Sequence, residues 1–476
     1  MLARADAGYI LGMAKIVVKF GGSNLKTSAD LHRSAEVAKA YRRPLVIVVS
    51  AFSGVTDSLA RALDEAVVSL DTVSAFIAKL EASHREALRD HVSDARELAK
   101  VDGELSTTLN LLDRLLKGVH YIGSIPDYVR DSVLSYGERL SAPVVAAVLR
   151  VAGVNAREAR PETLGLLTDG VFGNASADFA ACAASVAKGL EGDHTSVVPG
   201  FYGIAPNGRT TIFGRGGSDY TAAVIARCIG AECLDLWKDV DGFLSCDPRV
   251  SPDSHTIPYL SYDEAAELSY FGAKILHPRT VEPLENDGIP IRVMNVELFE
   301  GRVEPFTVVG PPALGDGRKD GRHADQVVKS IASTEDIAIV RLEGPGVGSR
   351  PGILARVTGR LDAAGVNISS VITAQTCINL LFKRADLLPA LAALKSEANP
   401  GILAVTPVEN LALVAAVGEG IRENCGVAAL VIGAVSKAGI GILLAQAGAG
   451  PTAVYLVVRR EDRELSVRAV HDACFP

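Results

Sequence analysis

At 476 residues the chain is too long for one ordinary domain, and two or three are expected. It is 48% hydrophobic, 22% charged and 5% aromatic, with mean hydropathy +0.23, the profile of a soluble globular protein with ample core. A net charge of −8 and a pI near 5.7 argue against a general nucleic-acid binder, and no apolar run approaches the length of a membrane helix.

The opening stretch, MLARADAGYILG, carries a charge pair and too short an apolar run for a signal peptide, and Met13 offers a second translation start just before the first strand. Segment 15–20 (KIVVKF) is a β-branched run ended by Gly21-Gly22, and 45–50 (LVIVVS) is a second, unbroken apolar run of the kind parallel strands show. From about 57 to 118 the pattern is helical, with almost no Gly or Pro, and reads as an insertion. Alternation follows: helix 132–151, strands 197–203 and 210–213, helix 219–229, strand 233–237, helix 262–271, strand 290–294. Such alternation predicts an α/β fold with a mostly parallel sheet.

Residues 301–328, dense in Gly, Pro and charge, read as a linker. Beyond it the sequence repeats at a spacing of 74, as 411 − 337, 426 − 352 and 440 − 366 show. Strand 337–342, a Gly-rich loop, helix 352–364 and strand 366–372 recur as 411–417, loop, 426–438 and 440–445. Two small βαββαβ modules are expected, too few units for a solenoid. Seven cysteines (182, 228, 233, 246, 377, 425, 474) are scattered without a C-x-x-C pair, so reduced thiols in the cytoplasm are the expectation, with no disulfide framework or zinc site.

Four segments carry chemistry. Lys19 ends a strand just before Gly21-Gly22-Ser23, where backbone N–H groups can approach a phosphate and the lysine adds a charge. This is not a Walker A loop, and alone it is equally a strand-ending turn. Gly214-Arg215-Gly216-Gly217-Ser218-Asp219 leads into an apolar helix, with Ser218 or Asp219 as N-cap, the helix N-terminus facing an anion and Arg215 suited to gripping a carboxylate. In Trp237–Arg249 the aspartates fail the spacing of a calcium loop, and a strand-end loop touching a nucleotide, with Lys238 and Arg249 as cations, competes with plain turn chemistry. Lys274, after Phe271-Gly272-Ala273, can reach phosphates from the side opposite Lys19, while His277 reads as structural.

Together with Ser50–Thr56 and Ser135-Tyr136-Gly137-Glu138, these motifs resemble the aspartate kinase (aspartokinase) family, in its monofunctional form with tandem ACT domains, from about residue 14 onward. The resemblance implies an amino-acid-kinase αβα sandwich (14–300, helical insertion 57–118), a linker (301–328) and two ferredoxin-like βαββαβ ACT domains (329–405 and 406–476). With the chain ending at Pro476, no homoserine dehydrogenase domain is expected. The implied activity is ATP-dependent phosphorylation of the L-aspartate β-carboxylate, feeding lysine, threonine and methionine synthesis.

By motif position, the resemblance implies that Lys19 stabilises the transferring phosphoryl and that Asp219 holds Lys19. Ser50, Thr56, Glu138, Arg215, Gly216 and Ser218 would bind aspartate. Gly21, Gly22, Ser23, Lys238, Asp239, Asp247, Arg249 and Lys274 would serve ATP, with Mg2+ carried mainly on the phosphates. Gly352, Ile353, Asn367, Ile368 and Ser369 would bind a lysine or threonine effector, and a homo-oligomer would form through the ACT domains. Departures are Ser23-Asn24 where the family usually has Thr-Ser, Leu244 for a common tyrosine, and Ser369 and Gln375-Thr376 where acidic groups would meet a lysine effector. The competing readings are another amino-acid or acyl kinase of the same fold, and a catalytically inactive amino-acid sensor.

Overall fold

The computed structural model describes residues 14–475 apart from 273–274, 315–326, 396–400, 425 and 449. The Met13 start and the role expected of Lys274 therefore fall outside the described residues. No described helix is long and apolar enough to cross a membrane. The chain forms two compact units, one from residues up to 243 with 256–266 and the stretch through the 307–309 strand, the other from 244–255, 267–272 and 327 onward.

In chain order the first unit runs β1 (Ile16–Phe20), α1 (Ser28–Ala40), β2 (Leu45–Val49), α2 (Val55–Val68), α3 (Leu70–His91), α4 (Ala95–Ile122), α5 (Asp127–Leu134) and α6 (Tyr136–Val151). It continues β3 (Ala156–Glu158), α7 (Pro161–Leu164), α8 (Phe179–Gly189), β4 (Thr195–Pro199), β5 (Tyr202–Ile204), β6 (Thr210–Ile212), α9 (Gly217–Cys228) and β7 (Leu234–Lys238). The last elements are β8 (Tyr259–Leu260), α10 (Tyr262–Tyr270, shared between the units), α11 (Pro278–Glu285), β9 (Ile291–Asn295) and β10 (Thr307–Val309).

Eight strands form one sheet in the order β3-β4-β2-β1-β7-β9-β10-β8, parallel except where β10 meets β9. β1 and β2 are buried along their whole length, which is why they read as unbroken apolar runs; each buried Val, Ile or Leu contributes about 1.5–3 kcal/mol. The helical insertion is three helices over 55–122, wider than 57–118, broken where Ser69 and Asp94 cap the next helix. Strand 197–203 divides at Gly200-Phe201, and β10 lies within the stretch expected to be linker.

The second unit contains β11 (Ser330–Thr334), β12 (Ala338–Glu343), α12 (Ile353–Ala363), β13 (Ser370–Thr373), β14 (Cys377–Phe382), α13 (Leu387–Lys395), β15 (Ala404–Val408), β16 (Leu411–Val417), α14 (Val427–Lys437), β17 (Leu444–Ala447), β18 (Ala453–Arg459) and α15 (Arg463–Cys474). Its two antiparallel sheets have the orders β13-β14-β12-β15 and β11-β16-β18-β17. The first module is βαββαβ as expected. The second takes its fourth strand from β11, which pairs with β16 (Ile331 opposite Ala416), so the first module is nested inside the second instead of beginning at 329.

Segment 244–255 is built into this unit. Ser330 Oγ donates to Leu244 O and Ile331 N to Ser245 O, each at 2.7 Å, while Ser245 Oγ and His471 Nε2 lie 3.0 Å apart. Cys246 and Val250 join the apolar cluster between α14, α15 and their sheet.

Candidate active site

The carboxyl ends of three adjacent strands, β4, β2 and β1, meet the N-terminus of α9 around a cavity of about 510 Å³. In open parallel sheets this is where ligands bind. Every residue expected to carry catalysis or to bind the acceptor lines it: Lys19, Asp219, Ser50, Thr56, Glu138, Arg215, Gly216 and Ser218.

Lys19, at the end of β1 and buried, places Nζ 2.6 Å from Asp219 Oδ1, and Lys238, at the end of β7, places Nζ 2.9 Å from Oδ2 of the same carboxylate. Asp219 sits in the first turn of α9, so helix and sheet together fix the triad. Burial alone would raise the Asp219 carboxyl, but the two ammonium groups outweigh it and hold it well below the usual carboxylate range. Burial, with repulsion from Lys238, lowers the Lys19 ammonium against the pull of Asp219. The result is a desolvated ion cluster with one positive charge in excess, suited to a polyanion.

Glu138, in the first turn of α6, is 3% exposed, and burial pushes its carboxyl up to about 8 against the opposing pull of the Ala51 amide, its own amide and the Ser218 hydroxyl. Ser218 Oγ donates to Glu138 Oε1 at 3.2 Å, while Oε2 has no hydrogen-bond partner among the described residues. Contrary to the expectation from sequence, neither Ser218 nor Asp219 is the α9 N-cap; Gly216 is, with φ +71, because the strand-to-helix turn needs a left-handed residue there. That places Ser218 and Asp219 inside the helix, with their side chains free for Glu138 and the lysines. Arg215, in the same turn, is exposed on the cavity wall.

The loop after β2 crosses close over α6: Ser141 Oγ donates to Ser50 O (2.8 Å), and a Cβ on Gly137 would stand 2.6 Å from that of Ala51. Several wall residues carry no sequence signal of their own, among them Lys26, Phe52, Asp57 and Phe201. Phe201 follows Gly200 with φ +75, a conformation costly for any residue but glycine, and its N–H donates to Thr221 Oγ1 at 2.9 Å. Only the Gly-Phe pair at the end of β4 hinted at it.

The residues expected to serve the nucleotide are less gathered. Gly22 and Ser23 line the cavity, but the Gly21 N–H donates to Asn24 Oδ1 (3.2 Å) and is not free for a phosphate. A Cβ at 21 would come 3.2 Å from Lys19 Nζ, a tight contact against a lysine already held by Asp219. Lys238 is tied to Asp219, and Asp239 lies 3.8 Å from Lys26 Nζ. Asp247 and Arg249 pair with each other at 2.6 Å on segment 244–255 of the second unit. Of the residues expected to bind an effector, Gly352 caps α12 with φ +81, Ile353 is buried, and Asn367 and Ile368 precede Ser369, whose N–H donates to Leu381 O (2.7 Å).

Comparison with known proteins bears on the chain as a whole. The chain matches the amino acid kinase family over residues 14–295 and an ACT domain over 414–474. It is 30% identical to aspartokinase 2 (chloroplastic) of Arabidopsis thaliana over 96% of this chain and 84% of that one. It is 27% identical to the bifunctional aspartokinase/homoserine dehydrogenase of Haemophilus influenzae, spanning 96% of this chain but 56% of that protein. Among solved structures, E. coli aspartokinase III with aspartate and ADP (R-state) superposes with a TM-score of 0.79 at 26% identity, covering 97% of this chain and all of the other. The same enzyme with lysine and aspartate (T-state) gives 0.74.

Proposed function

The chain belongs to the amino acid kinase family and to its aspartokinase branch, and from that premise we propose that the cavity transfers the γ-phosphoryl of ATP to the β-carboxylate of L-aspartate, giving 4-phospho-L-aspartate. This is the first step toward lysine, threonine and methionine. The observation that carries the reading is the Lys19–Asp219–Lys238 cluster standing over an acceptor pocket that holds a buried, half-satisfied Glu138.

The acceptor's ammonium group meets Glu138 and its α-carboxylate meets Arg215, with Ser50, Thr56 and Ser218 completing the polar wall. Held so, the β-carboxylate oxygen attacks the γ-phosphorus in line, the bond to the β-phosphate oxygen breaks, and ADP leaves. An ionised carboxylate needs no general base, so positioning and charge neutralisation do the work. Lys19 and Lys238 neutralise the equatorial oxygens, and Asp219 keeps the two ammonium groups from repelling each other. Because Asp219 is already shared by two cations, Mg2+ finds its ligands chiefly on the phosphates and water.

The two modules of the second unit bind a lysine or threonine effector, and copies of the chain associate through them in the cytoplasm. With Ser369 and Gln375-Thr376 at the positions noted above, a lysine effector lacks its acidic partners, so threonine is a real competitor for the site.

Hydroxylamine trapping tests the reading. Hydroxamate should form only with ATP and L-aspartate together, and added lysine or threonine should lower it. Folded protein that binds either amino acid yet makes no hydroxamate would overturn the proposal.

A further inference from the structure

The helical insertion holds a second, internal clamp on the acceptor loop. Within α3, His84 is fully buried and lies flat on Phe52, ring centroids 4.6 Å apart and planes within 10°. Phe52 belongs to the Ser50–Thr56 loop and contributes to the wall of the cavity. The imidazole is itself fixed: Nδ1 lies 2.8 Å from Leu80 O, a group that can only accept, so Nδ1 carries the proton. Nε2 is then a bare lone pair with no partner among the described residues. Burial lowers His84 to about 4, so the ring stays neutral at working pH.

Leaving a buried ring nitrogen unpaired costs free energy that a leucine, which has no flat face, would not incur. What the imidazole supplies in return is a flat face of the right size against Phe52. The loop is thus fastened from two sides. From α6, Ser141 holds the Ser50 carbonyl and Gly137 lets Ala51 approach; from α3, His84 holds the Phe52 ring. Both neighbours of Phe52 in the loop, Ala51 and Ser53, face the cavity with Ser50 and Thr56.

We propose that His84 is a positioning residue for the phosphoryl acceptor: by stacking on Phe52 it sets the Ser50–Thr56 loop, so the insertion is part of the acceptor site. The inference rests on the reading of this cavity as the aspartate site.

Steady-state kinetics of wild type, His84→Ala and His84→Phe, each varied in aspartate and in ATP, tests it. His84→Ala should raise the aspartate KM about tenfold while the ATP KM stays within about twofold. His84→Phe keeps a flat ring and loses the bond to Leu80, so it should restore the aspartate KM. If His84→Ala does not fold, Phe52→Leu, which stays apolar but removes the flat face, should give the same selective rise. Unchanged aspartate KM in a folded His84→Ala or Phe52→Leu, or equal defects in His84→Ala and His84→Phe, overturns the inference. Absence of aspartate-dependent turnover in the wild type would instead sink the functional reading beneath it.

Discussion

Two ammonium groups, Lys19 at the cavity wall and Lys238 behind it, share the Asp219 carboxylate, and that arithmetic governs what each substitution does. Lys19→Ala should lower kcat on the order of 100- to 1000-fold with little change in the aspartate KM, because its charge is matched to the transition state. Asp219→Ala leaves Lys19 and Lys238 facing each other without a counter-charge. It should cost about 3–5 kcal/mol of stability on top of activity, read from denaturant unfolding. Glu138 makes a pH prediction. Its carboxyl, raised by burial to about 8, is protonated below that pH and ionised above it. Only the carboxylate attracts an ammonium, so aspartate affinity should increase as pH rises toward and through 8, with a proton released on binding at pH 7. Calorimetry in buffers of different ionisation enthalpy would detect that proton; Glu138→Gln should abolish both the release and the pH slope. Much of this site was legible in the sequence, because Lys after a β-branched run and Arg amid glycines are unusual enough to mean something. Phe52, Phe201 and His84 were not, since a ring's stacking partner and a left-handed φ leave no periodic trace.

At the scale of elements, the site is set by how closely backbone can approach backbone. Gly137 lets α6 pass beneath the acceptor loop, and Gly216 turns the chain into α9 beside His277, whose Cβ would lie 2.6 Å from a methyl group there. Gly137→Ala should therefore cost about 1–3 kcal/mol of stability and raise the aspartate KM, because it drives the Ser50–Thr56 loop off its support. Thermal unfolding together with initial rates would separate the two effects, and a normal KM with a normal melting point would show the loop is held elsewhere. The glycine-rich turn announced an anion-facing helix, and this was correct. Its cap was misassigned because Ser and Asp favour N-cap positions, whereas here they lie within the first turn, held by tertiary partners, Glu138 and two lysines.

For the whole molecule, the 74-residue repeat exposed two modules but not their nesting. Periodicity reports which residues face a core; it does not report which strand completes a sheet, and Ser330–Thr334 is a short run with no mark of its distant partner. Likewise Trp237–Arg249 reads as one loop, yet from Leu244 onward its anchors lie in the second unit. His471→Ala removes a buried partner of Ser245 and should loosen that segment by about 1–3 kcal/mol, seen as faster amide exchange across 244–255 with the β12–β15 sheet unaffected. Nesting also imposes a schedule on biosynthesis. β11 leaves the ribosome roughly 80 residues before β16, the strand it must pair with, a wait of roughly 4–16 s at ordinary elongation rates. Throughout that interval the nascent chain presents an unpaired edge, and the inner module itself is complete only when β15 has emerged, just before β16. Slowing or pausing translation between 335 and 411 would lengthen that exposure, and of the strands made by then β11 waits longest for its partner, making that edge a point at which a growing polypeptide is open to misassembly with its neighbours on the same message.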